Sequence, residues 1–155
     1  MNAIDLFAGA GGLSLGFAQA GIDVVLANEI EPDFAKAYRN NHPDTLMCEG
    51  DIANIDFKNE IDQLGLNGQV DLVAGGPPCQ GFSTVGKKDF ADPRNSLFSQ
   101  FLRCVDEVQP SLVLFENVAG FMTMYAGRVY DALLEQLTQR GYACDARIIN
   151  PIDFG

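Results

Sequence analysis

Short apolar runs alternate along this chain with stretches in which apolar side chains recur every three or four residues. The runs Ala3–Phe7, Val24–Asn28, Thr45–Cys48, Asp71–Gly75, Leu112–Asn117 and Tyr142–Asn150 predict strands. The 3.6-residue pattern predicts helices over Leu13–Ala20, Pro32–Asn41, Ser96–Val108 and Val129–Arg140. Pro32 suits a first helical turn, and Gly141 is a stop signal. The connection from Ile52 to Val70 is weaker, with a short helix near Asn59–Leu64. Strands alternating with helices predict an α/β fold, a mostly parallel sheet with helices on both faces. No linker, repeat or low-complexity tract divides the chain, so residues 1–155 read as one domain. Such sheets bind ligands beyond the carboxyl ends of their strands. The segments just after each strand are therefore where chemistry should lie.

Composition narrows the classes. With 47% hydrophobic residues the chain can bury a core, and it has no apolar run of membrane-span length and no signal-peptide pattern. A strand beginning near Met1 leaves the expectation of no targeting segment. The cysteines Cys48, Cys79, Cys104 and Cys144 form no C-x-x-C pair, and His42 is the lone histidine. A zinc site and a disulfide framework are disfavoured, and a reducing intracellular setting fits. The net charge of −11 is unusual for a protein that grips phosphates. Lys87, Lys88 and Arg94 nonetheless gather in one polar loop after Cys79, either as a solvated loop or as a local positive patch.

Asp5 to Phe17 joins the first strand to the first helix, with Gly9, Gly11 and Gly12 in the turn. Glycines there allow close backbone approach by a ligand, and the helix start offers free N–H groups. The next glycine is Gly16, so the G-x-G-x-x-G dinucleotide fingerprint is not met. Glu29 follows the second strand and Asp51 the third. A carboxylate at Glu29 can accept bonds from ribose hydroxyls, and one at Asp51 from an adenine amino group; each alone is more often a solvated or capping residue. A glycine-rich loop, a Glu and an Asp at three consecutive strand ends together describe a nucleoside site.

After the fourth strand comes Gly75-Gly76-Pro77-Pro78-Cys79-Gln80-Gly81-Phe82-Ser83. Two glycines free the backbone and two prolines stiffen it, so a rigid turn presents one thiol. A free Cys is by default a small buried hydrophobe. A held thiol at a strand end is also a candidate nucleophile. Glu116 ends the apolar run Leu112–Phe115, a place where partial desolvation is expected to raise a carboxyl pKa; a helix cap or ion pair is the plainer reading.

Together, Asp5–Phe17, Asn28-Glu29, Gly50-Asp51-Ile52, Gly75–Ser83, Arg94–Phe98 and Glu116-Asn117-Val118 resemble the C5-cytosine-specific DNA methyltransferases over essentially the whole chain. The Pro-Pro-Cys-Gln-Gly-Phe-Ser run, with Glu-Asn-Val 37 positions after Cys79, carries the resemblance most specifically. It implies a Rossmann-like sheet of the AdoMet-dependent methyltransferases. Phe7, Gly9, Gly11, Leu13, Glu29, Ile30, Asp51, Ile52, Pro77 and Leu97 would line a pocket for S-adenosyl-L-methionine, left as S-adenosyl-L-homocysteine. Ile30 stands where family members often carry an aromatic residue. Cys79 would attack C6 of a cytosine flipped out of double-stranded DNA, Glu116 would contact N3 and the exocyclic amine, and Asn117 would hold the loop around it. Gln80, Ser83, Lys87 and Lys88 would meet the DNA.

The family usually continues into a Gln-x-Arg-x-Arg motif, an antiparallel final strand and a target-recognition domain. The expectation is thus a catalytic lobe lacking that strand, inactive in sequence-specific methylation by itself, with a complementary chain as a candidate partner. A bacterial restriction-modification enzyme of the cytoplasm and nucleoid is implied by resemblance. Two other readings stay open: a transfer-RNA cytosine-C5 methyltransferase and a non-catalytic AdoMet- or DNA-binding module. A nicotinamide dehydrogenase is disfavoured by the glycine spacing.

Overall fold

The computed structural model describes residues 1–66, 69–78, 97–150 and 152. Cys79, Gln80, Ser83, Lys87, Lys88 and Arg94 lie outside the described residues. The chain divides into two compact units, Met1–Glu116 and Asn117–Gly155.

Among the described residues, the first unit holds a five-stranded, wholly parallel sheet. Its strands are β1 (Asn2–Leu6), β2 (Asp23–Glu29), β3 (Leu46–Glu49), β4 (Leu72–Gly75) and β5 (Leu112–Phe115), in the spatial order β3-β2-β1-β4-β5. The helices are α1 (Gly12–Gln19), α2 (Pro32–Asn41), α3 (Phe57–Gln63) and α4 (Leu97–Val108). From β1 the sheet grows through β2 and β3 on one side and through β4 and β5 on the other. The order reverses between β1 and β4, which opens a crevice at their carboxyl ends.

Register assigns the two faces. Ala3 pairs with Val24 and Leu72, and Asp5 with Ala27 and Ala74, so these residues share one face. Phe17 of α1 packs there on Ala3, Leu72 and Ala74, and Ala35 and Tyr38 of α2 pack on Ala27 and Met47. Ile4, Leu6, Val73 and Phe115 point to the other face, where Phe98 and Phe101 of α4 meet the Phe115 ring edge-on. Interior strands buried on both faces explain the near-continuous apolar runs at Ala3–Leu6 and Leu72–Ala74.

Two expectations change. Leu112–Phe115 is not sealed on both sides: β5 is an edge of the described sheet, with Leu112 52% and Leu114 41% exposed. An edge strand has one neighbour, and its residues on the α1 side lie beyond the cover of Phe17. Tyr142–Asn150 is not a strand and pairs with none among the described residues. Its apolar residues Ile148 and Ile149 are exposed, so the run that suggested a strand has no ladder to stabilise it.

In the second unit, a 3₁₀ stretch Ala119–Gly127 leads into α5 (Arg128–Gln139). Val129, Leu133 and Leu137 form the buried stripe of α5. Gly141, with φ 91°, ends it as the sequence predicts.

Candidate active site

The carboxyl ends of β1, β2 and β3 build one constellation. β1 ends at Leu6, and Phe7 turns out of it with φ 58°. The glycine turn comes next. Its Gly9 N–H donates to Glu29 Oε2 at 2.8 Å, and the Glu31 N–H donates to Glu29 Oε1 at 2.8 Å. Glu29 thus ties the turn to the start of α2. Each of its oxygens accepts one backbone proton and keeps a further lone pair. The capping reading and the ligand reading of Glu29 are therefore compatible. Ile30 follows it, 57% exposed, as an apolar surface beside that carboxylate.

Gly11 is required by geometry. Its φ is 94°, and a Cβ there would run into the imidazole of His42, closer than real contacts allow. The His42 Nε2 lies 2.9 Å from the Gly11 carbonyl oxygen, and its ring sits 4.7 Å from that of Tyr38. His42 is thus a prop for the loop. The sequence pattern assigns it no role, although its place four residues after Tyr38 at the end of α2 is a usable signal.

Beneath the loop runs a buried polar chain. Ser14, in the first turn of α1, donates to Asp5 Oδ2 at 2.6 Å. The Ser14 Oγ is 2.7 Å from the Tyr38 hydroxyl. Ser14 has one proton, so with Asp5 ionised the tyrosine is the donor to Ser14. Burial pushes the Asp5 carboxyl up to about 6, against the opposing pull of the Ser14 bond and nearby His42. Burial also raises the Tyr38 hydroxyl.

The Asp51 carboxylate is exposed. Its Oδ1 accepts from Ala53 N at 2.9 Å, which leaves Oδ2 for a ligand. Asn28 fixes the strand ends on which Asp51 stands: its Nδ2 donates to the carbonyls of Cys48 at 2.8 Å and Gly50 at 3.0 Å. Leu13 is half-buried against the Ala3–Phe17 cluster, and the Ile52 side chain is buried at 3% exposure, supporting Asp51 from behind. Pro77 is buried, and Leu97 is the half-buried first residue of α4.

Glu116 is exposed, not desolvated as the sequence suggested, because it follows an edge strand. It is nevertheless held. Its N–H donates to Gly75 O at 3.0 Å, and a Cβ on Gly76 would lie 2.6 Å from Glu116 Oε2. Gly76 therefore makes room for that carboxylate at the end of β4, directly before the two prolines. In the second unit, Asn117 Oδ1 accepts from Val118 N at 3.0 Å. The thiols of Cys48, at about 11, and Cys104, higher than usual, are both pushed up by burial. Neither has the lowered pKa that suits a nucleophile.

A second hollow opens at the amino ends of β2 and β3, lined by Ile22, Asp23, Pro43, Asp44, Leu64 and Leu66 and reaching Ser14 and His42 beneath the glycine loop. None of the candidate catalytic, cofactor or DNA-contacting residues lines it. Among the described residues no group of three or more metal-ligating side chains converges, and no helix is long and apolar enough to cross a membrane.

Comparison with known proteins shows the family and the fold. The family model for C-5 cytosine-specific DNA methylase matches residues 1–155. The Type II methyltransferase M1.HphI of Haemophilus parahaemolyticus is 43% identical over 155 residues, covering 98% of this chain and 41% of that protein. The Type II methyltransferase M.AgeI of Thalassovita gelatinovora is 41% identical, covering 100% and 36%. A solved structure of a prophage-encoded DNA modification methyltransferase from E. coli superposes with TM-score 0.72 at 33% identity, covering 90% of this chain and 38% of that one. The chain thus spans about two fifths of the length of these relatives.

Proposed function

The chain belongs to the C-5 cytosine-specific DNA methylase family, and from that premise we propose that it is the AdoMet-binding catalytic lobe of a DNA cytosine-C5 methyltransferase. One observation carries the reading: the glycine turn, Glu29 and the open oxygen of Asp51 stand on adjacent strand ends beside the switch point. The residues fit the cofactor. Gly9, with open space where a Cβ would stand, lets its amino-acid end approach the backbone at the start of α1, and Gly11 lets His42 prop that turn from the other side. Glu29 and Asp51 keep lone pairs for ribose hydroxyls and an adenine amine, and exposed Ile30 offers an apolar surface for the adenine ring. Bound there, S-adenosyl-L-methionine supplies an electrophilic methyl group.

The chain's own residues make the cytosine reactive toward it. The Cys79 thiolate adds to C6 of a flipped-out cytosine, which turns C5 into an enamine carbon. Glu116 shares a proton with N3 and so stabilises the charge that develops on the ring. Once C5 is methylated, water takes the C5 proton, its electron pair restores the C5–C6 double bond, and the C6–S bond breaks to return the Cys79 thiolate. Asn117 steadies the turn after Glu116. Gln80, Ser83, Lys87 and Lys88 face the DNA. The relatives' remaining length is the proposed source of base reading, supplied by residues beyond these 155 or by a complementary chain, so the chain alone is expected not to methylate a specific sequence.

Calorimetric titration of the 155-residue chain tests the reading. S-adenosylhomocysteine should bind saturably, NAD⁺ should not, and Asp51→Ala should lose the binding. Binding of NAD⁺ in preference, or no binding of either by folded protein, overturns it. Capture of a 5-fluorocytosine strand through Cys79, compared between DNA and RNA in the presence of the complementary recognition region, tests the substrate: capture of RNA alone would transfer the assignment to a tRNA enzyme.

A further inference from the structure

We infer that Arg103 of α4, steadied by Glu107, is a positioning residue that sets the Asp51 carboxylate at the cofactor site; this rests on the proposed role of Asp51 as a cofactor ligand. Asp51 caps a single 3₁₀ turn, Ile52–Asn54. Three residues of 3₁₀ helix hold themselves poorly in water. The Ala53 and Asn54 amides bond back to Asp51, so the carboxylate can be no better placed than the turn.

Arg103 holds that turn from across the sequence. Its Nη2 donates to Ile52 O at 2.7 Å, and its Nη1 donates to Ile55 O at 2.9 Å and to Glu107 Oε1 at 2.5 Å. Its Nε donates to Gln100 Oε1 at 2.8 Å. Four of the five guanidinium protons are therefore assigned, in the flat fork that Arg alone provides. The guanidinium lies over the Phe57 ring, 5.2 Å from its centroid. Glu107 Oε2 accepts from Phe57 N at 3.0 Å. Both ends of the segment Ile52–Phe57 are thus fastened to one helix. Carbonyls in a surface loop are ordinarily satisfied by water; two here take a charged donor instead, and such bonds are the strong kind. A carboxylate left on an unfastened loop would sample many positions, and site residues about 1 Å out of place lose affinity steeply.

The test is a series on the full chain. The dissociation constant for S-adenosylhomocysteine is measured in the unaltered chain, Asp51→Ala, Arg103→Met and Arg103→Lys, with hydrogen exchange of the Ala53 and Asn54 amides followed in parallel. Arg103→Met keeps the stem and loses the fork, so affinity should fall about tenfold, and exchange at both amides should quicken by a similar factor. Arg103→Lys, which reaches one carbonyl, should fall between. A merely structural role would lower the melting temperature and leave affinity of the folded protein untouched. Unaltered-chain affinity in Arg103→Met, with Asp51→Ala impaired, overturns the inference. Absence of binding by the unaltered chain instead removes the cofactor reading; unchanged amide exchange in Arg103→Met would then overturn the clamp by itself. If Arg103→Met does not fold, Arg103→Lys carries the same comparison.

Discussion

Replacing Asp5 by Asn should make the chain more stable near neutral pH, and the gain should vanish in acid. Asp5 is 1% exposed and sits under the glycine turn, bonded to Ser14. Burial raises its pKa from 3.8 to about 6. The folded state therefore holds the proton more tightly than the unfolded chain does. This contribution to stability is present in full below about pH 4 and is lost as pH rises through about 6. The interval between 3.8 and about 6 corresponds to roughly 3 kcal/mol, of which about 2 kcal/mol or more falls between pH 4 and pH 7.5. An amide of the same shape still accepts from Ser14 and carries no charge to desolvate. Urea unfolding of both chains across that range gives the difference directly, provided the m-values agree. The variant should gain on the parent by about 2 kcal/mol as pH rises. A difference that stays constant with pH would show that Ser14 and His42 keep Asp5 ionised at no cost, and would refute the reasoning.

Gly76→Ala should push the Glu116 carboxylate from its place, since the new Cβ would lie 2.6 Å from Oε2. Methyl transfer in the assembled enzyme should fall by about 10²-fold with cofactor affinity unchanged, and undiminished transfer would separate Gly76 from Glu116. Gly11→Ala should weaken S-adenosylhomocysteine binding through the collision with His42 and the strain at φ 94°. Adding His42→Ala should recover only part of it, because the backbone strain of roughly 1–2 kcal/mol remains; full recovery would mean the collision was the whole effect. Brief alkylation at about pH 8 followed by mass mapping should modify exposed Cys144 and spare Cys48 and Cys104, whose thiols burial holds protonated. Rapid labelling of Cys48 would contradict the packing of β3.

The sheet was legible because its interior strands are buried on both faces: Leu72–Ala74 is apolar throughout, Ala3–Leu6 is interrupted only by the buried Asp5, and glycines or acids punctuate the strand ends. The segments that carry the candidate site residues were legible for a related reason, since they leave the carboxyl ends of β1 to β5, where such a sheet binds ligands. Three things were not. The exposure of β5 depends on what stands beside it, which an apolar run does not encode. The segment Tyr142–Asn150 has strand composition, and a strand exists only by pairing. The props of the site, His42 under Gly11 and Arg103 over the Asp51 turn, act across 31 and about 50 positions of sequence. Such side chains have no local pattern, because their role is set by packing between elements.

The central claim is that the cofactor lies at the carboxyl edge, beside the reversal between β1 and β4. Amide chemical shifts of the labelled chain, followed by NMR during titration with S-adenosylhomocysteine, locate the ligand most directly. The account predicts that the largest changes fall on Gly9, Gly11, Ile30 and Asp51–Ala53. Changes concentrated instead on Ile22, Asp44, Leu64 and Leu66, around the hollow at the opposite end of the sheet, would contradict it.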